Sequence, residues 1–164
     1  MRKLSIALAL GLSASLILAG CHQKQAAQTQ QTTQVSRPSS PTDVAAWQKY
    51  MQQLVIKNMQ GMTAQQPYVY FVPAGTDSSD QAQRDRQLEQ VQSMVSRGVL
   101  PGNLIALGGP NSQFTANMLI NAFTGAQSGS FHGVIVLFMG NKADEAKVAA
   151  IIKPTGAVFR FAQM

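Results

Sequence analysis

The chain has 164 residues, a formal net charge of +6 from thirteen Lys and Arg against seven Asp and Glu, and a single cysteine. That length holds one ordinary domain with a tail, and a lone cysteine excludes an internal disulfide, so the fold must rest on its apolar core. The basic residues are scattered and form no run with interleaved aromatics, which argues against nucleic-acid binding and leaves at most a mild, unspecific attraction to anionic surfaces.

In chain order, Arg2 and Lys3 come first, followed by an apolar stretch from Leu4 to Ile17 broken only by serine and glycine. It falls short of the ~20 residues a bilayer span needs. Leu18-Ala19-Gly20-Cys21 closes it, with small residues before the one cysteine. A cationic start, a short apolar core and a small-residue exit are the parts of a secretory signal. This stretch resembles the signal peptide and lipobox of bacterial lipoproteins, and the resemblance covers residues 1–21 only. It implies removal of residues 1–20, a diacylglyceryl group on the sulfur of Cys21, and acylation of its freed amine. Two or more acyl chains hold a protein stably in a bilayer. In that family an aspartate after the cysteine usually retains the protein in the inner membrane. His22 stands there, so the resemblance points to the outer membrane, facing the periplasm. His22 has no nearby partner with which to bind a metal.

Residues 21–42 are rich in Gln, Thr, Ser and Pro and have almost nothing to bury. They read as a disordered tether behind the lipidated cysteine. As a random coil it would span roughly 25 Å, and fully stretched about 70 Å.

The rest, 43–164, alternates between helical and strand patterns. A helix is expected over 42–60, capped by Thr42 or Asp43, with Val44, Trp47, Met51, Leu54 and Val55 on one stripe. The aromatic, β-branched run Tyr68-Val69-Tyr70-Phe71-Val72 predicts a strand. A second helix follows over 79–97. Its first half is polar and reads as a solvated overhang; its second half carries Leu88, Val91, Met94 and Val95. Arg97 and Gly98 suit its end. Residues 103–107 predict a short apolar strand. Residues 112–123 predict a third helix, with Phe114, Met118, Leu119, Ala122 and Phe123 inward. Val134-Ile135-Val136-Leu137-Phe138-Met139 shows no alternation, the mark of a strand buried on both faces of a parallel sheet. A fourth helix opens at Asn141, with Asp144 placed for a reciprocal capping bond and Ala146, Ala149 and Ile152 inward. Residues 157–161 predict the last strand, on an edge that Arg160 suits.

Strict alternation with long connections implies a small three-layer α/β domain with a mostly parallel four-stranded sheet and right-handed crossovers. The expected strand order is flavodoxin-like, 2-1-3-4. One antiparallel edge is the alternative.

In such sheets ligands bind beyond the carboxyl ends of the strands. The candidate rim is Thr76, Asp77 and Ser78 after the first strand, Asn111 and Ser112 after the second, and Asn141 after the third. Free amides at helix starts could receive an anion there, yet caps and turns need the same residue types. No motif names a reaction. Gly125-Ala126-Gln127-Ser128-Gly129 places its serine fourth, so it is not a nucleophile elbow. His132 is the domain's one base near neutral pH, and Ser130 two residues away makes a poor partner. No catalytic residue, metal site or cofactor is expected apart from the covalent lipid on Cys21. The reading is therefore an envelope lipoprotein, non-enzymatic, bound to the bilayer by acyl chains. Its periplasmic domain would bind an envelope protein, as part of a secretion, conjugation or pilus assembly or as an immunity factor. The alternative is a periplasmic enzyme or small-ligand receptor using the strand rim.

Overall fold

A computed structural model describes residues 35–164, in the element order α1 (Val44–Lys57), β1 (Tyr68–Phe71), α2 (Ser78–Arg97), β2 (Leu104–Gly108), α3 (Ser112–Phe123), β3 (Ile135–Gly140), α4 (Lys142–Ile152), a 3-10 turn (Lys153–Thr155) and β4 (Val158–Gln163). The signal segment, Cys21 and the first part of the tether lie outside the described residues. Among the described residues no helix is long and apolar enough to cross a membrane.

The domain is α/β with a four-stranded, all-parallel sheet. Its strand order is β1-β2-β3-β4, and Val69 pairs with Ala106, Ile105 with Val136 and Leu137 with Arg160. This corrects the expected order 2-1-3-4. The reason lies in the crossovers. Each right-handed βαβ unit steps one strand further in the same direction, so all three crossover helices fall on one face. The packing agrees. One apolar cluster gathers Val91 and Met94 of α2, Met118, Leu119 and Phe123 of α3, and Val148 and Ile152 of α4 against Ile105, Leu107, Val136 and Phe138. In the other cluster α1 is the one helix among the described residues: Trp47, Met51 and Val55 cover Leu104, Ala106, Ile135, Leu137 and Met139. With α1 on the second face, the first strand has no need to sit inside.

Strand placement follows from these two layers. β2 and β3 are buried along their whole length, as the apolar run over 134–139 predicts. β1 is an edge, and its burial rises only toward Phe71. β4 is the other edge, where Arg160 donates to the Asn58 and Gln60 carbonyls and so satisfies acceptors at the end of α1. Gly109 is required where β2 leaves the sheet, because a Cβ there would collide with the Val72 carbonyl.

Several local expectations need correction. The polar half of α2 is not an overhang. The Asp80 carboxylate accepts from Gly75 N at 2.7 Å, Arg84 donates to the Pro73 and Gly75 carbonyls, and Gln87 donates to Phe71 O at 2.7 Å. These side chains bind the strand-to-helix turn. In α4, Asn141 makes no side-chain cap, and the buried face is Asp144, Val148 and Ile152 rather than Ala146 and Ala149. Asp144 is drawn inward by bonds to Ser112 and Lys147. Finally, residues 35–42, assigned above to the tether, lie along α1. Trp47 Nε1 donates to Ser40 O at 2.9 Å, and Arg37 stands over the Trp47 ring at 5.7 Å.

Candidate functional site

The strand ends come first, because the sequence points there. Asp77 caps α2 and accepts from Ser79 N and Asp80 N at 2.9 and 3.0 Å. The Asp80 amide, more than any other partner, holds the Asp77 carboxyl below its ordinary pKa; burial opposes this, and the Ser79 amide and the Arg84 charge assist. Thr76 and Ser78 beside it are exposed. Asn111 caps α3 and accepts from Phe114 N at 3.1 Å. Both side-chain caps are thus occupied by their own helices.

Ser112 and Asp144 form the one buried polar pair in the rim. Ser112 Oγ donates to Asp144 Oδ2 at 2.5 Å and accepts from Asn141 N at 2.7 Å, while Lys147 Nζ lies 2.7 Å from Asp144 Oδ1. Burial acts to raise the Asp144 pKa. The Lys147 bond and charge and the Ser112 hydroxyl outweigh it, leaving the carboxyl below its ordinary value. The hydroxyl therefore faces an ionised carboxylate that is itself neutralised by a lysine. Such a carboxylate is a weak base, and the group serves as a strut between the starts of α3 and α4.

The structure brings Asn111, Ser112 and Asn141 to one open depression of about 410 Å³. Asp77 lines a separate one of about 320 Å³ with Pro73, Gly75 and Asp80. His132 precedes β3, whereas Asp77 follows β1, so the parallel sheet puts them at opposite ends. The sequential strand order also has no reversal. The crevice that opens in doubly wound sheets where the order reverses does not form. Among the described residues no group of His, Cys, Asp and Glu is arranged to hold a metal.

The second candidate was not singled out in the sequence. It is the edge of β1, which no other strand pairs among the described residues. Val72 N donates to Gly108 O, so the alternation of the strand turns the backbone groups of Val69 and Phe71 away from β2. Gln87 Nε2 occupies the Phe71 carbonyl, and its Oε1 is buried with no partner among the described residues. Grooves flank this edge on both faces. On the α1 face a groove of about 730 Å³ is lined by Met51, Val55, Ile56, Met59 and Val69. Residues from both ends of α1, Val44 and Ile56 among them, line it, and Val69 is 44% and Ile56 61% exposed. On the α2 face a groove of about 790 Å³ is lined by Tyr68, Tyr70, Arg86, Glu89, Arg97 and Leu100, the last 77% exposed. Burial raises the Tyr70 pKa, the neighbouring Tyr68 adds to the rise and Arg97 opposes it, so the phenol stays protonated through the neutral range.

The signal for this site was present in Tyr68-Val69-Tyr70-Phe71. All four residues are large and uncharged, and nothing in the run blunts an edge. It was hidden by placing β1 inside the sheet. Comparisons with family models, with curated proteins and with solved structures return no match to this chain.

Proposed function

We propose that this chain is an envelope lipoprotein, held at the outer membrane by acyl chains on Cys21, whose domain over 43–164 binds another protein. The anchor rests on Leu18-Ala19-Gly20-Cys21 behind a cationic start and a short apolar core. The observation that carries protein binding is the free, uncharged β1 edge with exposed Val69, Ile56, Tyr68 and Leu100 around it. Exposed apolar residues gathered at one place on a soluble domain mark an interaction surface, and a strand edge adds hydrogen-bonding groups to it. Among the described residues the rim offers occupied caps and a neutralised carboxylate, so it adds no comparable support for an enzyme.

The test is metabolic labelling followed by capture. The native chain should take up labelled palmitate and stay with membranes, and Cys21→Ser should take up none. The lipidated protein, extracted in detergent and captured, should bring one envelope protein in constant ratio. A native chain that takes up no label and washes off in buffer overturns the anchor, and a chain that captures nothing overturns the binding role.

A further inference from the structure

The β1 edge carries more than the statement that a protein binds. Three backbone groups point outward there: the N–H and C=O of Val69 and the N–H of Phe71, with the Phe71 carbonyl already taken by Gln87. An extended segment laid along this edge would pair with those groups and become a fifth strand. Its side chains would then fall alternately on the two faces of the sheet. The two faces differ in chemistry. The α1-side groove is the more apolar of the two: Met51, Val55, Ile56, Met59 and Val69 line it, together with Lys49 and glutamines of α1 and α2. The methionines let it accept side chains of varied shape. The α2-side groove sets Arg86 and Arg97 beside Tyr68 and Tyr70 with Glu89 as the only acid. Among the described residues the ion pairs are Lys142–Glu145 and Lys147–Asp144, so neither arginine is paired.

We propose that β1 is a strand-addition site for an extended segment of a partner protein in which apolar and acidic residues alternate. The apolar residues enter beside Ile56 and Val69, and the carboxylates meet Arg86 and Arg97. The proposal rests on the protein-binding reading above and specifies its surface and its ligand chemistry. Charge complementarity selects the partner segment over a second copy. An added β1 would bring Tyr68 and Tyr70 or Val69 and Phe71 to the α2-side groove, and none of these supplies a carboxylate.

The test uses the full lipidated protein in detergent micelles and a fluorescent nine-residue peptide alternating valine and glutamate, with a second peptide carrying lysine for glutamate. Anisotropy should show saturable binding of the glutamate peptide and binding of the lysine peptide weaker by about tenfold or more. Arg86→Glu with Arg97→Glu should invert that preference. Ile56→Glu, at a position too exposed to matter for the core, should weaken the glutamate peptide by about fivefold or more without change in circular dichroism. Val69→Pro removes an outward N–H and leaves the β2 pairing intact, and it should weaken binding by a similar factor. Equal binding of the two peptides overturns the proposal, as does binding untouched by Ile56→Glu. Sedimentation that shows a dimer abolished by Ile56→Glu also overturns it, by making a second copy the occupant. If Val69→Pro still captures the same envelope partner as the native chain, the surface assigned here is wrong and the protein-binding reading stands. If the native chain captures none, that reading falls whatever the peptides do.

Discussion

Replacing Ser112 by alanine tests whether the rim is a strut. Its hydroxyl gives a bond to the buried Asp144 carboxylate and receives one from Asn141 N, at 2.5 and 2.7 Å. A bond to a charged group contributes about 1.5–3 kcal/mol, and a buried amide left without an acceptor costs about 1–3 kcal/mol. Allowing for partial relaxation, Ser112→Ala should cost about 3 kcal/mol. Asp144→Ala loses the same bond and the pair with Lys147. Lys147 is substantially exposed, so that pair adds about 0.5 kcal/mol, and the total is about 2 kcal/mol. The double variant should cost little more than Ser112→Ala alone, which makes the coupling about 2 kcal/mol.

Trp47 is the only tryptophan and lies in the cluster on the opposite face, so its fluorescence in urea reports unfolding of the whole domain rather than of the rim. Circular dichroism should give the same midpoint. Acid should erase the effect in a defined direction. The Asp144 carboxyl is held below its ordinary 3.8, so its contribution is complete above that value and is lost as pH falls through the lower folded value. The gap between wild type and Asp144→Asn should therefore be constant from neutral pH down to about 5 and close below about pH 4. Additive single costs, with coupling under about 0.5 kcal/mol, would refute the strut, because contacting residues that share a bond must couple. A gap that widened in acid would refute the charge assignment.

Three further expectations follow from single positions. Gly109→Ala drives a Cβ into the Val72 carbonyl and should cost about 3 kcal/mol or more, against about 1 kcal/mol for Gly125→Ala, where the space is open and only the positive φ resists; thermal midpoints rank them. Arg160→Met removes the donors to the Asn58 and Gln60 carbonyls and keeps the apolar stem; it should cost about 2 kcal/mol in urea and raise proteolysis between α1 and β1. Tyr70 should ionise above the ordinary 10.0 in an ultraviolet titration read against Tyr70→Phe, because burial raises it. Its contribution to stability is present below the ordinary 10.0 and is lost as pH rises through the folded value, so Tyr70→Phe should flatten the alkaline edge of the stability curve.

The parallel α/β class was legible because it rests on local signals. Six apolar residues without alternation require cover on both faces, and β3 has it. The third helix was read with its true bounds, since Asn111 caps it and Phe114, Met118 and Phe123 keep the spacing. Strand order was not legible, because it depends on which face α1 takes, and no residue within β1 or β2 records that. The pinned half of α2 was legible in principle. Asp80, Arg84 and Gln87 lie on the line that Val91 and Met94 continue at helical spacing, so the buried face changes from polar to apolar rather than ending. The alanines of α4 misled for the opposite reason. They fit any face, whereas Val148 and Ile152, four apart, mark the inward one. At the strand ends, the bond between Ser112 and Asp144 was not foreseeable, since the two are thirty-two residues apart.

The sequential order also bears on the proposed strand addition. A sheet that never reverses direction places its three crossover helices side by side, and among the described residues each outer strand is paired on one side only. The two edges are finished differently. At β4 the backbone groups of Phe159, Phe161 and Gln163 face outward, and Lys142 stands over the Phe161 ring at 5.5 Å while Arg160 closes the α1 face. Charge at an edge discourages another strand from pairing. At β1 no residue of the strand is charged, and the guanidiniums of Arg86 and Arg97 stand to one side of it. An open edge of this kind invites unwanted pairing unless something covers it or uses it. The strand is only four residues long, which limits indiscriminate pairing, and under the proposed strand addition the arginines would admit a partner of one charge. A short edge with a charge filter is what selective strand addition requires, and the rim, whose caps are bonded to their own helices, has no counterpart to it.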